Sequence, residues 1–172
     1  MGFDYTKLIK AEGQFDKNAC WAASISWWTW AMSQNYKRKT IWQKDLLVKF
    51  DELTNQDGSM PLVGIKTVCE SAEIKAELKY ISPASFKKDY KNIDLPMIII
   101  FNYPTVGGTH MNVIFDQKGD TVMCMEPYFP FPGKDGQRTG TYVRRPTTFF
   151  ANSQEIGIAY LPLADAFKQM QY

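Results

Sequence analysis

The chain has 172 residues, 45% hydrophobic and 22% charged. That composition is globular, excludes an intrinsically disordered chain, and allows a core that needs no disulfide or metal staples. Lys+Arg number 20 and Asp+Glu 18, a net charge of +2, which is too even to argue for nucleic acid or an anionic membrane as partner.

Residues 1–18 are polar and aperiodic and read as an extended lead-in, with Asn18 placed to cap a helix start. A helix is predicted from Ala19 to Gln34, apolar almost all round through Trp21, Ala22, Ile25, Trp28, Trp30 and Met32. A helix apolar on every side belongs in the middle of a domain. Its apolar run is broken by Ser24, Ser26 and Thr29 and falls well short of the ~20 residues of a membrane span. Helical spacing of Trp42, Leu46, Phe50 and Leu53 predicts a second helix over Ile41 to Leu53, and Ile65, Val68, Cys69 and Ala72 a third over Leu62 to Ala72. Pro83 suits the first turn of a short helix.

After Asp94 the pattern changes. Leu95 to Phe101 is a buried strand, Asn102 to Gly108 a loop, and Thr109 to Asp116 the next strand. Lys118–Gly119–Asp120 forms a hairpin turn to a partner strand, Thr121 to Glu126. Pro127 to Gly140 is a long Pro- and Gly-rich loop, followed by strands at Tyr142–Arg145, Thr147–Ala151 and Ile156–Leu161. Helices first and strands second make an α+β fold, read as a single domain over residues 1–172.

The three cysteines, Cys20, Cys69 and Cys124, cannot all pair and contain no Cys-x-x-Cys motif. They fit a reducing compartment or one free functional thiol. The N-terminus lacks the basic start and apolar stretch of a secretory signal, so the expected location is the cytoplasm, or outside by a route that leaves no signal peptide. The chain has one histidine, so any imidazole chemistry must use His110.

Cys20 sits at the predicted helix start, where the dipole and free N–H groups favour the reactive thiolate. His110 follows Gly-Gly-Thr, opens a strand, and can serve as the base that a cysteine nucleophile needs. Glu126 ends the partner strand, near the same end of the hairpin, where a carboxylate could hold the imidazole in one tautomer. Gln14, six residues before Cys20, can donate to an oxyanion together with the Cys20 backbone N–H. Each residue alone has a bland reading: a small buried hydrophobe, a surface histidine, a strand-end carboxylate, a solvated amide. Their joint order and spacing favours the functional one.

The stretches GQFDKNACWAAS (13–24), LPMIIIF (95–101) and GGTHMNVIFDQKGDTVMCMEP (107–127) resemble the papain-like cysteine peptidases. The resemblance is greater to a compact bacterial branch: bacteriocin leader-processing peptidase domains, staphopain-type enzymes and effector proteases. It implies a helical half whose central buried helix packs on a C-terminal antiparallel sheet. It implies Cys20 as nucleophile, His110 as general base and acid, Gln14 as oxyanion donor, and Glu126 as the residue orienting His110, followed by Pro127. Trp21, Gly108 and Thr109 would contact substrate. The implied partners are a peptide or protein substrate and a proteinaceous inhibitor or immunity protein. The implied enzyme is a monomer with no metal or organic cofactor. One position departs from the family, which has Asp or Asn where Glu126 stands; Asn112 and Asp116 are the alternatives for orienting His110.

The resulting expectation is a thiol protease, of effector or toxin type, cleaving amide bonds through a thioester. The alternatives keep the same site for peptidoglycan amidase or endopeptidase, deamidase or acyl-transfer chemistry, or make the chain an inactive peptide-binding module. A metal site of Cys20, His110 and Glu126 would have three mixed ligands and no second histidine. Tyr128, Phe129 and Phe131 either line the cleft or pack on the sheet. Arg138, Arg144 and Arg145 read as a solvated basic face.

Overall fold

The computed structural model describes residues 4–89, 93–104, 107–130 and 138–162. In chain order its helices are α1 (Tyr5–Leu8), α2 (Cys20–Ser33), α3 (Gln43–Lys49), α4 (Leu62–Cys69) and α5 (Pro83–Asp89). Its strands are β1 (Glu77–Ile81), β2 (Met97–Asn102), β3 (Thr109–Lys118), β4 (Thr121–Glu126), β5 (Thr141–Pro146) and β6 (Ile156–Tyr160). Among the described residues these six strands form one antiparallel sheet in the order β1-β6-β2-β3-β4-β5.

The run Met97–Phe101 is apolar at every position because β2 is buried on both faces. Ile98 and Ile100 join the core beneath α2, together with Met111, Val113, Phe115 and Met125. Met97, Ile99 and Phe101 point into a second core with Ile114, Cys124 and Ile158, as the period-two alternation of a strand requires. Phe86 of α5 and Phe150 close that second face, their rings 5.7 Å apart.

Helix α2 is the axis of the first core, with every residue from Trp21 to Thr29 buried. Two of its polar members are satisfied by the backbone: Ser24 Oγ donates to the Met111 carbonyl at 3.0 Å, and Thr29 Oγ1 donates to Ser26 O at 2.9 Å. The Trp28 indole donates to Pro96 O at 2.9 Å, tying the helix to the start of β2. Such bonds remove the cost of burying a polar group in an apolar core.

Several elements differ from the sequence expectation. The lead-in contains α1, whose Tyr5 is buried against Trp27 and Phe115. Asn18 does not cap α2; its amide donates to Asp57 O at 2.7 Å, and α2 begins after Ala19 with no side-chain cap. The second helix is shorter, α3 followed by a 3-10 turn at Asp51–Leu53. Strand β1 was not foreseen. Thr147–Phe150 is a 3-10 turn, not a strand. Pro146 ends β5, which lies at the sheet edge, so the segment has no strand to pair with and closes local i→i+3 bonds instead. No helix among the described residues is long and apolar enough to cross a membrane.

Candidate active site

The hairpin β3–β4 brings the polar residues together. Ile114 pairs with Cys124 and Val113 with Met125, and one step further along the same register sets Asn112 opposite Glu126. His110, Asn112 and Ile114 alternate on one face of β3, as Glu126 and Cys124 do on β4. His110 and Glu126 therefore meet at the end of the hairpin, where Nε2 of the imidazole lies 2.7 Å from Glu126 Oε1. The Cys20 thiol, at the first position of α2, faces the same cleft as this ring and helps raise its proton affinity. The ring is thus bonded to the carboxylate and lies near the sulfur.

Glu126 is 1% exposed and accepts from four groups. Oε1 takes His110 Nε2 and the Tyr128 backbone N–H at 2.8 Å. Oε2 takes Asn112 Nδ2 at 3.0 Å and an Arg145 guanidinium nitrogen at 2.7 Å. Burial pushes the carboxyl up, but the His110 charge and the bonds from His110, Tyr128 and Asn112 outweigh it and hold Glu126 below its ordinary range. For His110, burial pulls the imidazole down. The Glu126 charge and the hydrogen bonds to Cys20 and Glu126 overcome that and lift it to about 9. At neutral pH the ring is an imidazolium, poised to give up a proton.

Asn112, considered as an alternative for orienting His110, instead donates to Glu126. Asp116, the other alternative, lies beyond a register shift on β3, is exposed, and accepts from the Gln117 N–H.

Gln14 is fully buried and anchored through its backbone. Its N–H donates to Pro127 O at 3.0 Å, just after Glu126, and its carbonyl accepts from the Arg138 N–H at 3.1 Å. Of the two hydrogens on Nε2, one is committed to Asp16 O at 2.6 Å. The segment 12–15 is pinned from the other side by Gln43 of α3. Gln43 donates to Gly13 O at 3.0 Å and to Glu12 Oε1 at 3.2 Å, and accepts from the Phe15 N–H at 2.9 Å.

A cleft of roughly 470 Å³ opens over Cys20 and His110, and Trp21, Gly108 and Thr109 all lie on its wall. Met60, Ile65 and Met111 also line it, as do Tyr103 and Tyr128, whose rings pack beside His110. Gly107 and Gly108 have φ of +76° and +77°, a conformation that glycine adopts without strain. Tyr128 thus lines the cleft, Phe129 is 41% exposed, and Phe131 lies outside the described residues.

The basic cluster is not a solvated face. Arg144 is exposed, but Arg145 is 8% exposed and ion-paired to Glu126, and Arg138 is buried with its guanidinium 4.5 Å from the Tyr128 ring. The sequence points to neither Tyr103 nor Gln43 as part of the site, and it places Arg145 on a solvated face rather than beside Glu126. Burying a carboxylate at the end of an interior hairpin calls for a cation, and Arg145 on the following strand answers that need. Among the described residues no group of three or more His, Cys, Asp or Glu side chains is arranged to hold a metal ion.

No protein-family model matches the chain, and no curated protein matches it in sequence. Among solved structures, the peptidase domain of Streptococcus ComA, a bi-functional ABC transporter involved in a quorum-sensing pathway, superimposes with a TM-score of 0.60 at 14% identity. The match covers 89% of this chain and 98% of that one. At that identity the likeness is one of architecture, and the chain has the α+β fold of a papain-like peptidase domain.

Proposed function

We propose that the protein is a cysteine peptidase that cleaves peptide bonds through a thioester. The observation that carries this reading is the His110 ring, bonded to Glu126 at 2.7 Å and facing the same cleft as the Cys20 thiol. The peptidase fold of the structural neighbour supports it. The Cys20 thiolate attacks the substrate carbonyl carbon, forming a C–S bond and an oxyanion. The Cys20 N–H, left without a side-chain cap at the start of α2, and the remaining Gln14 amide hydrogen hold the oxyanion. As the C–N bond breaks, the imidazolium of His110 protonates the leaving amine. Neutral His110 then takes a proton from water, the hydroxide attacks the thioester, and the C–S bond breaks to restore the thiolate–imidazolium pair. Glu126 keeps the ring in the tautomer and orientation this cycle needs.

The test is covalent labelling with an epoxide-type thiol reagent, mapped by mass spectrometry. Cys69 and Cys124 are buried and serve as internal controls. Labelling of Cys20 alone, lost in His110→Ala, supports the proposal. Labelling spread over all three cysteines, or indifferent to His110, sinks it. Gln14→Ala is expected to lose about 10²–10³ in rate and Cys20→Ala all of it. Peptide libraries, isolated cell-wall fragments, glutamine-bearing proteins and amine acceptors then separate peptidase from amidase, deamidase and acyl transferase.

A further inference from the structure

Glu126 has a second oxygen that does not face His110, and its strongest partner is Arg145. The guanidinium donates to Glu126 Oε2 at 2.7 Å and to the Tyr103 hydroxyl at 3.1 Å. It lies 3.9 Å from the centre of the Phe149 ring and 5.4 Å from that of Tyr103. The Tyr103 ring also stands edge-on to His110, 5.0 Å away. One aromatic wall therefore packs against the cation and the imidazole together, and Glu126 bridges them.

We propose that Arg145 is a positioning residue for the His110–Glu126 pair, holding the carboxylate charged and correctly turned while His110 gives up and regains its proton. The inference rests on the reading of His110 as the proton carrier. When His110 protonates the leaving amine it becomes neutral, and Glu126 loses one of its two cationic partners. A buried carboxylate left without a countercharge would draw that proton back. Arg145 remains charged throughout and keeps Glu126 ionised in both states of the ring. Its bonds to Oε2 and to Tyr103 also fix the carboxylate plane, so that Oε1 stays on Nε2. Among the described residues the ionisable groups facing the pair are Cys20 from α2, the buried Cys124 from β4, Arg145 from β5 and the Tyr103 and Tyr128 hydroxyls, with Arg138 behind Tyr128 and Lys17 on the cleft wall.

Without Arg145 the full carboxylate charge acts on His110, and its midpoint rises. The chain has one histidine, so its ring resonances report that midpoint directly in an NMR titration. Arg145→Met is expected to raise it by about one pH unit and to lower kcat about tenfold or more with KM within about twofold. Arg145→Lys, which keeps the charge but loses the planar fork, is expected to hold the midpoint within about 0.3 and to recover part of kcat. An Arg145→Met protein with unchanged midpoint, or with unchanged kcat, overturns the proposal. If Arg145→Met does not fold by circular dichroism, Arg145→Lys decides: an unchanged kcat or a midpoint displaced by a full unit overturns it. A wild type that cleaves no peptide fails the peptidase reading, while the titration still reports whether Arg145 controls the carboxylate.

Discussion

Replacing Glu126 with Gln keeps the side chain's length and removes its charge. In the native protein Glu126 accepts four hydrogen bonds and donates none. A glutamine amide has one oxygen and one NH₂. His110 and Arg145 bond to opposite oxygens of the carboxylate, so either orientation of the amide leaves one donor facing another. Breaking a buried ion pair by removing one partner costs about 3–5 kcal/mol, a large part of a typical stability of ~5–15 kcal/mol. The variant should fold with a clearly lower Tm. The effect on His110 is separable. Burial, which pulls the imidazole down, stays, as does the lift from Cys20; the charge and bond of Glu126 go, so its midpoint should fall from about 9 toward its ordinary 6.5. With a midpoint near 6.5 the protonated fraction at about pH 7.5 drops from nearly complete to about a tenth, a loss of about tenfold in kcat/KM before any loss of ring orientation. The assay is kcat/KM across the pH range, with the rate of Cys20 alkylation measured alongside. The alkaline limb, expected at about 9 in the native protein, should move down by about 2.5 pH units. A limb that stays in place while Tm falls would show that Glu126 is a structural anchor and does not set the proton on His110.

Other perturbations test how the site is supported. A Cβ at Gly13 would lie 1.7 Å from the Arg138 carbonyl oxygen and 2.1 Å from its carbon. Backbone cannot yield as a side chain can, so Gly13→Ala should destabilise by at least the ~1–3 kcal/mol of ordinary overpacking, read by urea denaturation, and should displace Gln14 and lower kcat. Gln43→Ala leaves Gly13 O, Glu12 and the Phe15 N–H without their partner. It should cost about 2–4 kcal/mol and slow turnover more than it raises KM, as expected if α3 positions the oxyanion donor. Burial lifts Glu12 to about 7 from 4.5. A carboxyl raised on folding contributes stability that is full below 4.5 and is lost as pH rises through about 7, on the order of 3 kcal/mol in all. Glu12→Gln should therefore outlast the native protein above about pH 7 and lose that advantage toward about pH 5, measured by urea denaturation; an equal difference at both pH values would contradict it.

Long-period patterns were readable in the sequence because burial writes them directly. A helix apolar on all sides could only be central, and α2 is; a strand with no polar alternation could only be covered on both faces, and β2 is. What escaped depends on contacts between distant segments. Glu77–Tyr80 alternates charged and apolar residues, but over four positions only; it becomes a strand because β6 offers it an edge to pair with. The Thr-Thr-Phe-Phe segment after Pro146 has strong strand propensity, but among the described residues no strand lies beyond β5 for it to pair with; the Thr147 N–H bonds to Asp120 O at 2.9 Å, and the phenylalanines turn inward onto Phe86 and Phe101. Asn18 has the right chemistry for a cap, but the Asp57 carbonyl, thirty-nine residues away, takes its amide.

The same distinction explains the site. That Cys20, His110 and Glu126 would lie close together was legible because each sits at or beside the end of a regular element, where spacing predicts position. The longer Glu126 side chain read as a departure, since a one-methylene change alters the reach to the ring. In the fold that reach is used: the carboxylate spans from the imidazole on β3 to the guanidinium on β5, with Tyr128 and Asn112 completing its four acceptor positions. A carboxylate with a single cation would be left uncompensated each time the ring gave up its proton. Sharing one carboxylate between two buried cations avoids that, and ties the strand that bears His110 to the sheet edge that bears Arg145. Arg145 read as surface because arginine is seldom buried. Its burial follows from the charge that Glu126 carries into the interior, which no local pattern around Arg145 itself records.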